Sequence, residues 1–324
     1  MKFVTRGLLA VCAALWLGAA AAQQSTYPTK SIRFVVAYAP GEAADVLARA
    51  MVPLLSERLR QPVVVENKPG AHGSNGIDLV AKSAPDGYTI GLGGSGALAT
   101  NASLYPKLPY DPVKDLAPVT SVAHFPFLLI ANPKLPATTL AELVALARSK
   151  PGELLLGFGS NGSASHLAAE LFKLMTQTQM VNVPYKSSDA AAIDAVNGKL
   201  LLAVVEVGAA LPHVKAGKVN AIGVTSAKRV FAAADAPSLA EAGLAGYEAM
   251  DWLGIVVPVA TPGAIVSRLN ADFVATLKRA EVRDRIIAAG AEPAPSTPVG
   301  LGALIAAEVV KWSEVVQISG ARAD

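Results

Sequence analysis

Gly157, Gly159 and Gly162 alternate with Ser160, Ser163 and Ser165 in one short stretch of this chain, with Asn161 among them and His166 closing the run. Glycines let a main chain approach a bound group, serine hydroxyls supply donors, and a helix starting here leaves roughly four N–H groups without intrahelical partners. That combination attracts a carboxylate or a phosphate. The same glycines fit the GxGxxG pattern of a dinucleotide loop, but Gly91, Gly93 and Gly96 fit it too, and a chain with 27 glycines produces such matches by chance. The dinucleotide pattern also expects an acidic residue about 20 positions on, to hold a ribose. Asn182 to Lys186 contains none. A plain strand-to-helix turn with a serine cap is the other reading of these residues.

Other chemistries lack their residues. Neither Ser160 nor Ser163 has glycines two positions away on both sides, and Ser95 has Gly93 before it but Ala97 after it, so no nucleophile elbow is present. His72, His124, His166 and His213 fall far apart and form no paired metal-binding spacing. Neither a catalytic group nor a metal is expected.

The serine loop must be carried by a strand before it and a helix after it. Leu154 to Gly157 suits a buried parallel strand, and Leu167, Leu171 and Leu174 recur at helical spacing. The plan appears earlier in the chain as well. Ile32 to Tyr38 reads as a strand, Ala39-Pro40-Gly41-Glu42 as a loop, and the residues from Asp45 onward as a helix that Pro53 kinks or restarts. Asp45 is better placed to favour the helix start than to touch a ligand. Strands at Val63 to Glu66 and Thr89 to Leu92 follow, the second leading into the permissive loop Gly93 to Gly96. Loops at the carboxyl ends of such strands are where open α/β sheets bind small molecules.

Val119 to Ala123 and Phe127 to Ala131 read as two apolar segments split by His124-Phe125-Pro126, a first crossing into a second lobe. Thr139 and Glu142 form a capping box. Strands then fall at Leu154 to Gly157, Met180 to Val183, Leu200 to Val205 and Ala221 to Thr225, with Gly198 and Gly217 at helix ends. Ser238 and Glu241 make another capping box, Trp252 to Val257 is a strand returning to the first lobe, and Thr261-Pro262 and Thr297-Pro298 open the last helices. One lobe interrupted by another is the anatomy of a hinged clamp.

At the start, Lys2 and Arg6 precede an apolar run from Gly7 to Leu17, and Ala20-Ala21-Ala22 supplies small residues, so the pattern predicts a signal peptide cut after Ala22 and export with no membrane anchor left. Taking Lys2 and Arg6 from the 28 basic residues leaves 26 against 25 acidic ones, a balance that argues against a nucleic-acid surface. Cys12, the single cysteine, lies in the leader, so the exported chain has no disulfide. The full sequence is 52% hydrophobic, and an exported length of about 300 residues supports two α/β lobes with sizeable cores.

The chain resembles the Bug-type extracytoplasmic solute receptors of tripartite tricarboxylate transporters. The stretches that carry the likeness are PVVVENKPGAHGSNG, SAPDGYTI, SLYPKLPYDPVKDLAPV, GSNGSASHLAAELF, VPYKSSDAA, LPHVKAGKVNAIGVTSAKR and PSLAEAGLAGYEAMDWLGIVVPVATP, from about Pro28 to Val316. The resemblance implies a two-lobed type II periplasmic-binding-protein fold, each lobe a mainly parallel sheet flanked by helices. It implies residues 23–120 plus 230–324 in lobe 1 and 121–229 in lobe 2, after a leader of 1–22. It further implies a monomeric periplasmic receptor, not an enzyme and without a cofactor, that closes on a small organic acid and delivers it to a membrane permease. A ligand sensor feeding a histidine kinase is the alternative, and a secreted NAD(P)-binding enzyme a remote one.

Carried over by position, the first-lobe pincer loop is Tyr38 to Asp45, with Tyr38, Pro40, Gly41, Glu42 and Ala43 facing ligand. Ser95 and Gly96 match a third ligand-facing loop. The carboxylate loop is Gly159 to His166, contributing Ser160, Asn161, Gly162, Ser163, Ser165 and His166, the last as suited to bracing the helix as to touching ligand. Tyr185-Lys186 matches another loop, where Lys186 is the kind of lysine that is usually just solvated, and Glu206 stands where many relatives carry an acidic strand end. Glu42 replaces a glycine, Ser187 another, and Glu206-Val207 departs from the usual pair. A Glu42 carboxylate about 5 Å from a ligand carboxylate costs roughly 3 kcal/mol at an effective dielectric near 20. The departures favour a ligand with one carboxylate or an amide and a neutral or cationic end, such as an amino acid or a nicotinate-like ring, over an ordinary dicarboxylate; if Glu42 faces solvent, the dicarboxylate stands.

Overall fold

The structure, a computed structural model, describes residues 27–323, so the predicted leader, Cys12 and the Ala22 cleavage point lie outside the described residues. Ile32–Val36 forms β1, whose residues are nearly all buried because both faces of the strand are covered. It pairs in parallel with β2 (Val63–Asn67) on one side and β3 (Thr89–Gly94) on the other. Helices α1 (Ala43–Leu59) and α2 (Ser74–Ala81) connect them. Pro53 lies inside α1 without ending it. It sits on the exposed face, where a carbonyl that loses its intrahelical partner is hydrated instead.

After β3 a short π-helical segment (Gly96–Thr100) and the short α3 (Asn101–Leu104) lead to β4 (Leu116–Ala131). The predicted break at His124-Phe125-Pro126 is absent: β4 is one strand of 16 residues. Its partners change at Pro126. Up to that residue β4 pairs with β9 (Met250–Pro258), and from Phe127 onward with β7 (Leu202–Glu206) and β8 (Asn220–Val224). The proline, which has no N–H to give a ladder, stands at the junction of two ladders.

The second half contains α4 (Leu140–Ser149), β5 (Leu155–Phe158), α5 (Ala164–Thr176), β6 (Val181–Pro184), α6 (Ser188–Asn197) and α7 (Val207–Lys215). Its strand order is β6-β5-β7-β4-β8, and that of the first half is β2-β1-β3-β9-β4. The two plans are the same. In each, three parallel strands are followed by one antiparallel strand that has crossed from the other half, β9 in the first and the far end of β4 in the second. The α/β architecture with two lobes is therefore as the sequence predicts.

The chain ends with α8 (Gly263–Leu277), α9 (Ala280–Ala288), the two-residue β10 (Glu292–Pro293) on β4, and α10 (Pro298–Ser319). Packing refines where the lobes divide. Residues 230–249, placed with the first lobe from sequence, contribute Val230, Ala236, Leu239 and Tyr247 to the cores of the second. No strand signal lies between β8 and β9, so the chain stays on the second half until β9 begins. The reciprocal bonds of the Ser238–Glu241 capping box do form, but turns rather than a helix follow, as Gly243 and Gly246 take φ of 117° and 80°. Helix α10 binds the halves together, with Leu301 and Ile305 in a first-lobe core and Trp312 and Val315 in a second-lobe core. No described helix is long and apolar enough to cross a membrane.

Candidate functional site

Four helices begin at one cleft. Glu42 precedes α1, Ser163 precedes α5, Ser187 precedes α6 and Glu206 precedes α7, and all four line the cavity between the lobes. The cavity has two chambers of about 240 and 330 Å³, which share Glu42, Glu206 and Asp251 as a common wall. The smaller lies against Tyr38, Ala43, Ala44, Phe125 and Leu253 of the first half. The larger lies against Ser160, Ser163, Ser165, Lys186 and Asp189 of the second, with Phe127 at its floor. Helix N-termini carry partial positive charge and unpaired N–H groups, which favour an anionic or amide oxygen, while the shared acidic wall opposes negative charge.

The first-half loop is held by Asp45. Its buried carboxylate accepts from the Gly41 N–H at 2.9 Å, from Arg49 Nε at 2.9 and 3.0 Å, and from Asn67 Nδ2 at 2.8 Å. Asn67 Nδ2 also donates to the Tyr38 carbonyl at 3.0 Å. The Arg49 bonds, against an opposing contribution from burial, hold the Asp45 carboxyl down to about 2. This is bracing. Glu42 is free of that network: it caps nothing in α1, and among the described residues its Oε1 accepts only the Ala39 N–H, at 3.2 Å. Tyr38 lies across β3, where a side chain on Gly94 would collide with its hydroxyl.

In the second-half loop the serines divide their labour. Ser163 Oγ accepts the His166 N–H at 3.2 Å and caps α5, while Ser165 Oγ accepts the Gly159 N–H at 3.0 Å and lies 3.0 Å from Ser163 Oγ. His166 belongs to the support. Its ring stacks on Phe158 at 4.4 Å, its Nδ1 accepts the Gly162 N–H at 3.1 Å, and its Nε2 lies 3.5 Å from Glu170 Oε1. Burial pushes the Glu170 carboxyl up, but bonds from His166, Lys173 and Asn182 outweigh it and hold the group at about 2.

Of the residues predicted to face ligand, Tyr38, Glu42, Ala43, Ser160, Ser163, Ser165 and Glu206 line the cavity. Eight line neither chamber, for identifiable reasons. Pro40 and Gly41 make the turn itself, Gly41 at φ 88°. Ser95 is buried and spends its hydroxyl and N–H on Asp251, and Gly96 backs onto the His72 carbonyl. Gly162 lies at the rear of its loop, where a Cβ would meet Ala323 at 2.9 Å, and Asn161 is its neighbour in the chain. His166 is the brace just described. Tyr185 packs in a second-lobe core and donates to Asp194 at 3.2 Å.

The sequence reading missed Asp251. Its Oδ1 accepts from Ser95 Oγ at 2.6 Å, Ser95 N–H at 3.3 Å and Trp252 N–H at 2.7 Å, and it faces both chambers. The available signal was an acidic residue at the entrance to an otherwise apolar strand. Lys186, read as a solvated charge, reaches the larger chamber, and among the described residues no ion pair is formed by it.

Burial raises the Asp251 carboxyl. It also raises Glu206 to about 7, with Asp251 and then Asp189 adding repulsion. Glu206 stays open to solvent inside the cleft although protein surrounds it. The sign of the consequence follows from charge. Below about pH 7 Glu206 is protonated and opposes an anion less, so affinity for a carboxylate facing it rises as pH falls from 8 to 6. Affinity for a cation facing it rises in the other direction. Calorimetry at the two pH values reads that sign, and Glu206→Gln should flatten the slope. Among the described residues no group of three or more His, Cys, Asp or Glu could hold a metal ion.

Residues 47–321 match the family described as "Tripartite tricarboxylate transporter family receptor". The chain is 36% identical to protein BugT of Bordetella pertussis over 305 residues, 94% of each chain. Among solved structures it is similar to R. palustris Rpa4515 with adipate (35% identity, TM-score 0.75, 92% of this chain and 100% of that one). It is also similar to MatC from Rhodopseudomonas palustris with bound malate (31% identity, TM-score 0.72, 90% and 100%).

Proposed function

Because this chain belongs to the tripartite tricarboxylate transporter receptor family, we propose that it takes from the periplasm a small solute bearing one carboxylate or amide and a neutral or cationic far end. The protein is a solute-binding receptor, not an enzyme, and its partner is a tripartite tricarboxylate-type permease. The carboxylate or amide sits on the Ser160, Ser163 and Ser165 loop, over the N-terminus of α5 and within reach of Lys186. The far end sits in the smaller chamber against Phe125 and the acidic wall. Cleavage after Ala22 completes the exported form.

The observation that carries this reading is the shared wall of Glu42, Glu206 and Asp251, set against Lys186 as the one lysine or arginine among the residues that line the two chambers. Rpa4515 and MatC were solved with adipate and malate, both dicarboxylates. A second carboxylate in this cleft would face three acidic side chains, while an ammonium or amide N–H would find acceptors there and aromatic faces at Phe125 and Phe127. Mass spectrometry of the small molecule released on denaturing natively purified protein tests it. A singly charged acid, amide or zwitterion is the expected occupant, and a dicarboxylate would overturn the charge assignment while leaving the receptor in place.

A further inference from the structure

Besides the β4 and β9 crossings and helix α10, the lobes meet where α7 faces the turn after α9, and there the contact is main chain on main chain. Gly208 lies in the first turn of α7, two residues after Glu206. Gly290 lies in the turn after α9, at φ 76°. A Cβ on Gly290 would be 2.7 Å from both the Cα and the N of Gly208, and a Cβ on Gly208 would be 3.2 Å from the Ala289 carbonyl oxygen. Beside this seam the Phe231 N–H, from the second lobe, donates to Glu292 Oε1, from β10 of the first, at 3.2 Å.

Gly290 needs its glycine for the left-handed turn that ends α9. Gly208 has no such need. It sits in a helix, where glycine is disfavoured relative to alanine, and its φ is not left-handed. What its missing side chain permits is the approach of the Ala289–Gly290 turn. The same helical turn carries Glu206 into the cleft, so whatever sets the position of Gly208 also sets where Glu206 stands against the first lobe.

We propose that Gly208 and Gly290 form a bare seat between the lobes, which fixes the interlobe angle and thereby positions Glu206 across the cleft. Gly208 acts as a positioning residue through Glu206. The assignment is independent of which solute the cleft takes. A side chain at 208 wedges the seat, and the lobes rest at a different angle in proportion to its bulk.

The test measures the distance between spin labels by pulsed electron resonance in unliganded protein. One label goes in each lobe, at Val46→Cys and Ile193→Cys, both 41% and 50% exposed respectively, in a chain with Cys12→Ala so that no other thiol is present. Gly208→Ala should shift the distance distribution and Gly208→Val should shift it further. Gly263→Val, at the start of α8 with nothing within 4 Å of its Cβ, should leave it unchanged. Thermal unfolding of Gly208→Ala should match or exceed that of the parent, since alanine favours the helix, which separates a shifted angle from a damaged fold. If Gly208→Val fails to fold, Gly290→Ala, whose Cβ would meet the Gly208 main chain at 2.7 Å, decides instead. A parental distance distribution in folded Gly208→Val or Gly290→Ala would overturn the proposal.

Discussion

Glu42→Gly should strengthen malate binding by about a hundredfold at low salt. Glu42 lines both chambers, and like charges about 5 Å apart repel by roughly 3 kcal/mol at an effective dielectric near 20. Because the side chain is exposed, salt screens part of this, and the gain should shrink as ionic strength rises. Glycine is tolerated before a helix, and Glu42 makes no capping bond to α1, so the fold should be unaffected. Asp251→Asn should act in the same direction, since an amide keeps an oxygen for Ser95 and Trp252 while removing the charge. Titration calorimetry at two salt concentrations checks both. Unchanged malate affinity in the two variants would mean that neither charge bears on the ligand.

Asp45→Ala should cost about 3 kcal/mol of stability, because it removes a buried carboxylate that accepts from Gly41 N–H, Arg49 and Asn67 Nδ2, leaving Asn67 Nδ2 only the Tyr38 carbonyl. Arg49 is half exposed and finds water instead. The pH dependence has a definite sign. Asp45 is held down to about 2 from an ordinary 3.8, so its contribution is full above pH 3.8 and is lost as pH falls towards 2. Thermal unfolding across that window should fall more steeply in the parent than in Asp45→Asn. Binding should weaken as well, since the Tyr38 to Glu42 loop hangs on this carboxylate. A variant with parental melting and parental affinity would show the loop to be held by something else.

The strands were readable because each is a short apolar run bounded by glycine, proline or polar turns. Leu155–Phe158 and Thr89–Gly94 fall within two residues of where the sequence places them. The continuity of β4 was not readable, since a proline interior to a strand argues against it unless the ladder changes partner there, and that is a long-range fact. The cleft divides in the same way. Ser160, Ser163, Ser165 and Glu42 lie at strand-to-helix turns, which local pattern locates. Asp251 reaches the cleft only because β9 crosses from the second lobe and pairs with both β3 and β4, and no local pattern carries that. For His166 the sequence left bracing and ligand contact both open; stacking on Phe158 and accepting from Gly162 put its ring to bracing, and those contacts are not legible in the loop's sequence.

A cleft walled by Glu42, Glu206 and Asp251 should select against a second negative charge. Titration of the unmodified protein at pH 7 with malate and adipate, against a panel of monocarboxylates bearing an amide or ammonium, measures it directly. A panel member should bind about a hundredfold tighter than either dicarboxylate, a difference near 2.7 kcal/mol. Tight malate or adipate binding by the unmodified protein, with no gain in Glu42→Gly, would contradict it.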